Sequence, residues 1–140
     1  IRYWFVQFAG ATLAAFALSH ALGGFGVTGL GATTFDAASV SPARALLIEA
    51  VLTFFLVNTI MNTAVSGKAG NLAGLAIGLT LVFCILMGGP LTGASLNPAR
   101  TFGPAVVIGD LSQFWLYVVG PLLGATAAAI LYRTMLRESA

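Results

Sequence analysis

"TGASLNPARTFGPAV", residues 92–106, decides how the rest of the chain is read. It sets Asn97, Pro98 and a permanent cation, Arg100, directly behind a long apolar run, in a chain that is 59% hydrophobic and 7% charged. Such a chain has too few polar groups to cover a water-facing globule. With a mean hydropathy of +0.98 it reads instead as an all-α integral membrane protein. Its 140 residues fit one domain, so 1–140 is taken as a single transmembrane unit.

Charge and cysteine usage narrow the partners. Six basic against four acidic residues, well scattered, offer no surface for nucleic acid. The expected surroundings are the lipid bilayer and other membrane helices. The lone Cys84 sits inside an apolar run, which excludes an internal disulfide and gives no zinc spacing. It is read as a small packing residue. The first apolar stretch lacks a cationic leader and is as long as a full span, so it is not read as a signal peptide. The start at Ile1 suggests that something upstream is missing.

A bilayer core of roughly 30 Å needs about 20 apolar residues at helical rise. By that measure the spans fall at about 3–22, 45–64, 72–88 and 114–131. The third is short, because Gly88, Gly89 and Pro90 are expected to stop it. The Gly/Thr/Ser-rich connector "GGFGVTGLGATTFDAASVSPAR" reads as a long surface loop. The connector "VSGKAGN" is so short that the second and third spans must be antiparallel neighbours. Arg2, Lys68, Arg133 and Arg137 gather on one side, with Arg44 and Arg100 on the other. The positive-inside rule then puts the C-terminus in the cytoplasm and brings the Asn97 segment in from outside. Gly74-x-x-x-Gly78 and Gly120-x-x-x-Gly124 are read as general close-packing sites rather than a dedicated oligomer face.

The quoted stretch interrupts this pattern in a specific way. Exposed peptide groups are costly in hydrocarbon, so a non-helical turn here must line water or be buried in protein. Helix resumes at Asn97, a favoured N-cap, with Pro98 in the first helical position. About a dozen residues, or roughly 17 Å, precede Gly109 and Asp110, which spans half a membrane. Residues 97–108 are therefore read as a re-entrant half-helix with its N-terminus near the midplane. That terminus carries partial positive charge, and Arg100 projects from nearly the same face one turn on. Dipole and guanidinium together oppose protons and cations. The competing reading, an interfacial arginine that snorkels, fits this depth less well.

"LTGASLNPARTFGPAV" resembles the second Asn-Pro-Ala loop of the aquaporin, or major intrinsic protein, family. "ALLIEAVLTFFLVNTIMNTAVSG" and "FWLYVVGPLLGATAAAILYR" resemble that family's fourth and sixth spans. The resemblance implies a six-span bundle with two half-helices, of which this chain supplies spans three to six and the second half-helix. The fold is then a partial aquaporin-like bundle of four spans and one half-helix. The missing N-terminal half, from the same or a separate chain, would bring the facing Asn-Pro-Ala turn. A fragment of a longer protein is the simpler account; the alternative is a non-conducting fragment or packing subunit.

The resemblance also implies roles. Asn97 would donate its amide to a passing oxygen, with Pro98 and Ala99 packing the turn and the carbonyls of Gly93, Ala94 and Ser95 leading in. The outer filter would take Ile85, Ala94 and Arg100, its fourth member lying on the missing second span. Strict water channels usually carry histidine at the Ile85 position, so this filter is expected to be wider and more apolar. Ile85 with Ala94 is similar to members passing small neutral solutes such as glycerol or urea. Thr101 and Ala105 resemble the water-channel pattern, with Tyr117 and Val118 intermediate, and the solute range stays open. Glu49 is expected to brace the re-entrant loop, and Gln7 to brace the loop of the missing half. The implied function is a passive channel for water and small uncharged solutes that excludes protons and ions, in the cell membrane, homotetrameric when complete, needing no cofactor or metal.

An intramembrane enzyme would need a nucleophile with a base, or clustered metal ligands. One histidine, one cysteine and one buried glutamate, well separated, do not supply that set, so no catalytic residue is assigned. His20 reads as an interfacial polar residue and Asp36 and Asp110 as solvated loop charges.

Overall fold

The structure, a computed structural model, describes residues 1–24 and 29–136. Arg137, one of the residues used to orient the chain, lies outside them. Among the described residues every regular element is helical: α1 (Arg2–Ala21), α2 (Pro42–Ile60), α3 (Ala73–Thr92), α4 (Pro98–Ile108) and α5 (Phe114–Leu131). Short π-helical turns, Met61–Val65 and Tyr132–Leu136, extend α2 and α5, and a 3-10 turn, Gly70–Leu72, leads into α3. Counting these turns, three elements are long and apolar enough to cross a bilayer: Pro42–Val65, Gly70–Thr92 and Phe114–Leu136. α1 has 20 residues but is not among them, since Arg2, Gln7, Ser19 and His20 dilute its apolar run.

The third helix corrects the sequence expectation. Gly88, Gly89 and Pro90 do not end it; α3 continues through all three to Thr92 and closes on Gly93, whose φ of 78° suits glycine. The Gly93 N–H donates to the Gly89 carbonyl at 2.9 Å. In an apolar surround, leaving the helix at Gly88 would orphan several peptide groups, whereas Pro90 forfeits one N–H. Gly88 serves packing instead, because a Cβ there would collide with the Leu52 side chain.

Helix pairing follows from small residues. α5 lies along α2, where a Cβ on Gly124 would strike the Ala50 carbonyl and one on Gly120 would sit 2.9 Å from the Glu49 Cβ. α4 lies along α1, with Gly103 against the Ala11 carbonyl. Phe8, Phe102 and Phe114 join α1, α4 and α5, their ring centroids 5.0 to 6.5 Å apart. α2 and α3 are neighbours, tied by Thr59 and Thr80 hydroxyls at 3.1 Å. Gly74 and Gly78, by contrast, face open space. The outward stripe of α3, Leu75, Leu79, Val82 and Leu86, is exposed, as a lipid-facing surface requires.

The long connector also departs from expectation. Within 29–41 it is not simply a surface loop: Leu30, Thr33, Phe35 and Val40 are buried. Phe35 and Val40 join Ala45, Leu116 and Tyr117 in one apolar cluster, which draws the connector onto α2 and α5.

Candidate functional site

The site is organised by a buried carboxylate. Glu49, on α2, has no solvent exposure. One carboxylate oxygen accepts the Thr92 hydroxyl at 2.7 Å and the Ser95 N–H at 3.0 Å, and the other accepts the Leu96 N–H at 2.9 Å. A buried charge is tolerable when its lone pairs are filled in this way. These bonds also hold a strained backbone. Ala94 and Leu96 have φ of 45° and 54°, a region that side-chain-bearing residues seldom adopt. Each such residue costs on the order of 1–3 kcal/mol, offset here by charge-assisted bonds. Tyr117, fully buried on α5, adds a hydroxyl bond to the Thr92 carbonyl at 2.7 Å.

From this turn α4 starts. The side chain of Asn97 caps it, Oδ1 accepting the Ala99 N–H at 2.9 Å, with Pro98 in the first turn. Because a backbone N–H requires an acceptor, the amide nitrogen of Asn97 must point away. Asn97 is exposed and borders a cavity of about 340 Å³, lined also by Gln7 and Phe8 of α1, Thr53 of α2 and Val118 of α5. α4 holds 11 residues, about 16 Å of helix, and ends on Gly109.

Arg100 is the third residue of α4, and its guanidinium donates to the Gly31 carbonyl of the connector. A run of hydroxyls fixes the same region: Thr33 to Thr101 at 2.5 Å, Thr101 to Ser95 at 2.6 Å, and the Ser95 hydroxyl onto the Asn97 carbonyl at 2.9 Å. Thr33 also fills the space beside Gly93, where a Cβ would lie 2.9 Å from the Thr33 Cα. Gln113, just before α5, pairs with both backbone groups of Phe35, at 3.0 and 2.9 Å. Asp36 accepts from the Ser39 hydroxyl and the Ala38 N–H, and Asp110 from Ser112. These bonds hold both carboxyls below their ordinary range.

The residues singled out in the sequence are thus only partly assembled. Asn97, Pro98, Ala99, Arg100, Gly93, Ala94 and Ser95 form one turn and helix start, with Glu49 bonded directly beneath it. Ile85 stands on α3, about half exposed, one turn before Gly89. Gln7 lines the cavity that Asn97 borders but stays exposed on α1. Sequence reasoning missed Gly31, Thr33 and Gln113 altogether, and missed the tie from Tyr117 to Thr92. The available signals were slight: a threonine pair in a loop, and a glutamine directly ahead of an apolar run. Among the described residues no group of three or more His, Cys, Asp or Glu could hold a metal ion.

Fold and site together define a polytopic helical membrane protein in which a short helix, α4, packs between longer ones. The family model described as Major intrinsic protein matches residues 1–132, and the chain belongs to that family. It is 43% identical over 135 residues to Aquaporin TIP2-1 of Arabidopsis thaliana, covering 94% of this chain and 52% of that protein. It is also 43% identical over 138 residues to Probable aquaporin TIP1-1 of Oryza sativa subsp. japonica, covering 96% and 53%. Putative aquaporin NIP4-1 of Arabidopsis thaliana is 40% identical over 127 residues, covering 90% and 44%. The chain thus spans about half the length of the curated relatives it matches. It is an integral, multi-pass membrane protein.

Proposed function

We propose that the complete protein is a passive channel for water and small uncharged solutes, and not an enzyme. The observation that carries this reading is the presentation of Asn97: its Oδ1 caps α4 and so leaves the amide nitrogen free at a positive helix end, three residues before Arg100. An amide donor there turns a water oxygen inward and breaks a proton-conducting chain of water, while Arg100 repels cations. The carbonyls of Gly93, Ala94 and Ser95 serve as acceptors, and Ile85, Ala94 and Arg100 as three members of the outer filter. Names of the relatives that contain the word aquaporin agree with this.

The pore needs a second, facing element. Asn97 borders an open cavity of about 340 Å³, and the Thr53 hydroxyl on the same wall is buried with no hydrogen-bond partner among the described residues. A polar turn from the missing N-terminal half would satisfy both, with Gln7 bracing it. α1 serves as a fourth span, since its 20 residues reach about 30 Å. Arg2, Lys68 and Arg133 favour a cytoplasmic C-terminus; location in the cell membrane and assembly of the complete protein as a homotetramer rest on the family resemblance alone.

Stopped-flow light scattering on proteoliposomes holding the complete protein tests the reading. Shrinkage under an osmotic gradient should outpace empty vesicles, with slower but measurable entry of glycerol or urea. Water permeability equal to that of empty vesicles would sink it.

A further inference from the structure

Gln113 occupies the position that would cap α5, yet its side chain makes no cap. Both ends of its amide are used elsewhere: Oε1 accepts the Phe35 N–H at 3.0 Å and Nε2 donates to the Phe35 carbonyl at 2.9 Å. One side chain thereby satisfies both backbone groups of a residue 78 positions away, as a paired strand would. Phe35 is itself buried, so the connector has a fixed point there.

Two residues back, Thr33 is held by the Thr101 hydroxyl at 2.5 Å. Two further back, Gly31 offers its carbonyl to Arg100. Gly29, Leu30 and Gly31 all have positive φ, a local path that no regular helix or strand bonding enforces. The position of the Gly31 carbonyl therefore depends on the anchors at Thr33 and Phe35. A cavity of about 50 Å³ beside Thr33, Thr101, Asp110 and Gln113 leaves room for the connector to shift once an anchor goes.

We infer that Gln113 is a positioning residue for solute selectivity, acting through Phe35 and Thr33 to keep the Gly31 carbonyl on Arg100. This rests on the channel reading above. With the amide in place Arg100 is held at one side of the mouth and the opening has one width. Without it, the guanidinium loses a fixed acceptor and the mouth admits larger neutral solutes.

The test uses the complete protein in proteoliposomes, comparing glycerol with water permeability at matched protein content. Gln113→Met keeps length but removes both bonds, and the glycerol-to-water ratio should rise about fivefold, the effect of one lost hydrogen bond on Arg100 placement. Gln113→Glu supplies a readout that a merely structural role would not move. Ionised, the introduced carboxylate still accepts from Phe35 N–H but repels its carbonyl; protonated, it donates again. The ratio should be raised at about pH 8 and return toward wild type at about pH 4. Asp36, Asp110 and Arg100, the charged groups nearby, are common to both proteins, so wild type at each pH is the reference. If Gln113→Met fails to assemble, the pH response of Gln113→Glu decides alone. Wild-type flux no greater than empty vesicles overturns the channel reading; normal wild-type flux with an unmoved ratio, or a pH-independent Gln113→Glu, overturns this inference only.

Discussion

The carboxylate of Glu49 accepts the backbone N–H of Leu96 at 2.9 Å, across 47 positions of chain. That contact ties the middle of a spanning helix to the turn from which the half-helix starts. Glu49→Gln would set an amide NH2 against at least one of the N–H groups of Ser95 and Leu96. A loss of roughly 2–4 kcal/mol is expected, since a buried donor is left without an acceptor. Thermal unfolding in detergent measures it, and an unchanged midpoint would show that the turn holds without Glu49.

Arg100 is the permanent cation at the head of α4, bonded to Gly31. Replacing it with valine in the complete protein should increase proton or cation leak in vesicles loaded with a pH-sensitive dye. Unchanged leak removes the barrier role from Arg100 and leaves it to the helix dipole and Asn97.

Ile85 is about half exposed on α3, and the proposed channel counts it as a member of its outer filter. Ile85→His should reduce glycerol or urea flux more than water flux, because the imidazole replaces an apolar wall that suits a solute's carbon skeleton with a polar one that hydrogen-bonds water. Equal losses for all three solutes would place the discriminating step elsewhere.

The two pairs of spaced glycines should behave differently. A Cβ on Gly124 meets the Ala50 carbonyl, whereas Gly78 faces open space. Gly124→Ala should cost about 1–3 kcal/mol through forced separation of α2 and α5, and Gly78→Ala should be neutral or stabilising by up to about 1 kcal/mol. Parallel melting curves of the two variants check this, and equal midpoints would contradict the packing assigned to Gly124.

The start of α4 was legible in advance because its causes are local. Asn97 caps and Pro98 begins the helix within one turn, and both act through atoms a few residues apart. Apolar runs similarly marked α2 and α5. The end of α3 is not legible in the same way: Gly88, Gly89 and Pro90 break helices in water, but an apolar surround penalises unpaired peptide groups more than a proline does. Nor is the burial of the connector, because its polar composition says nothing about what Phe35 and Thr33 find to pack against.

By itself, then, the sequence determined an all-α membrane chain, a half-helix capped by Asn97, and a carboxylate at Glu49 that had to find donors. Only the tertiary structure decided which donors those are, that Gly31 meets Arg100, and that Gln113 grips Phe35. The division has a physical cause. Hydropathy and caps act over a single turn, but a bond such as that between Ser95 and Glu49, 46 positions apart, exists only once α2, α3 and α5 have packed around it.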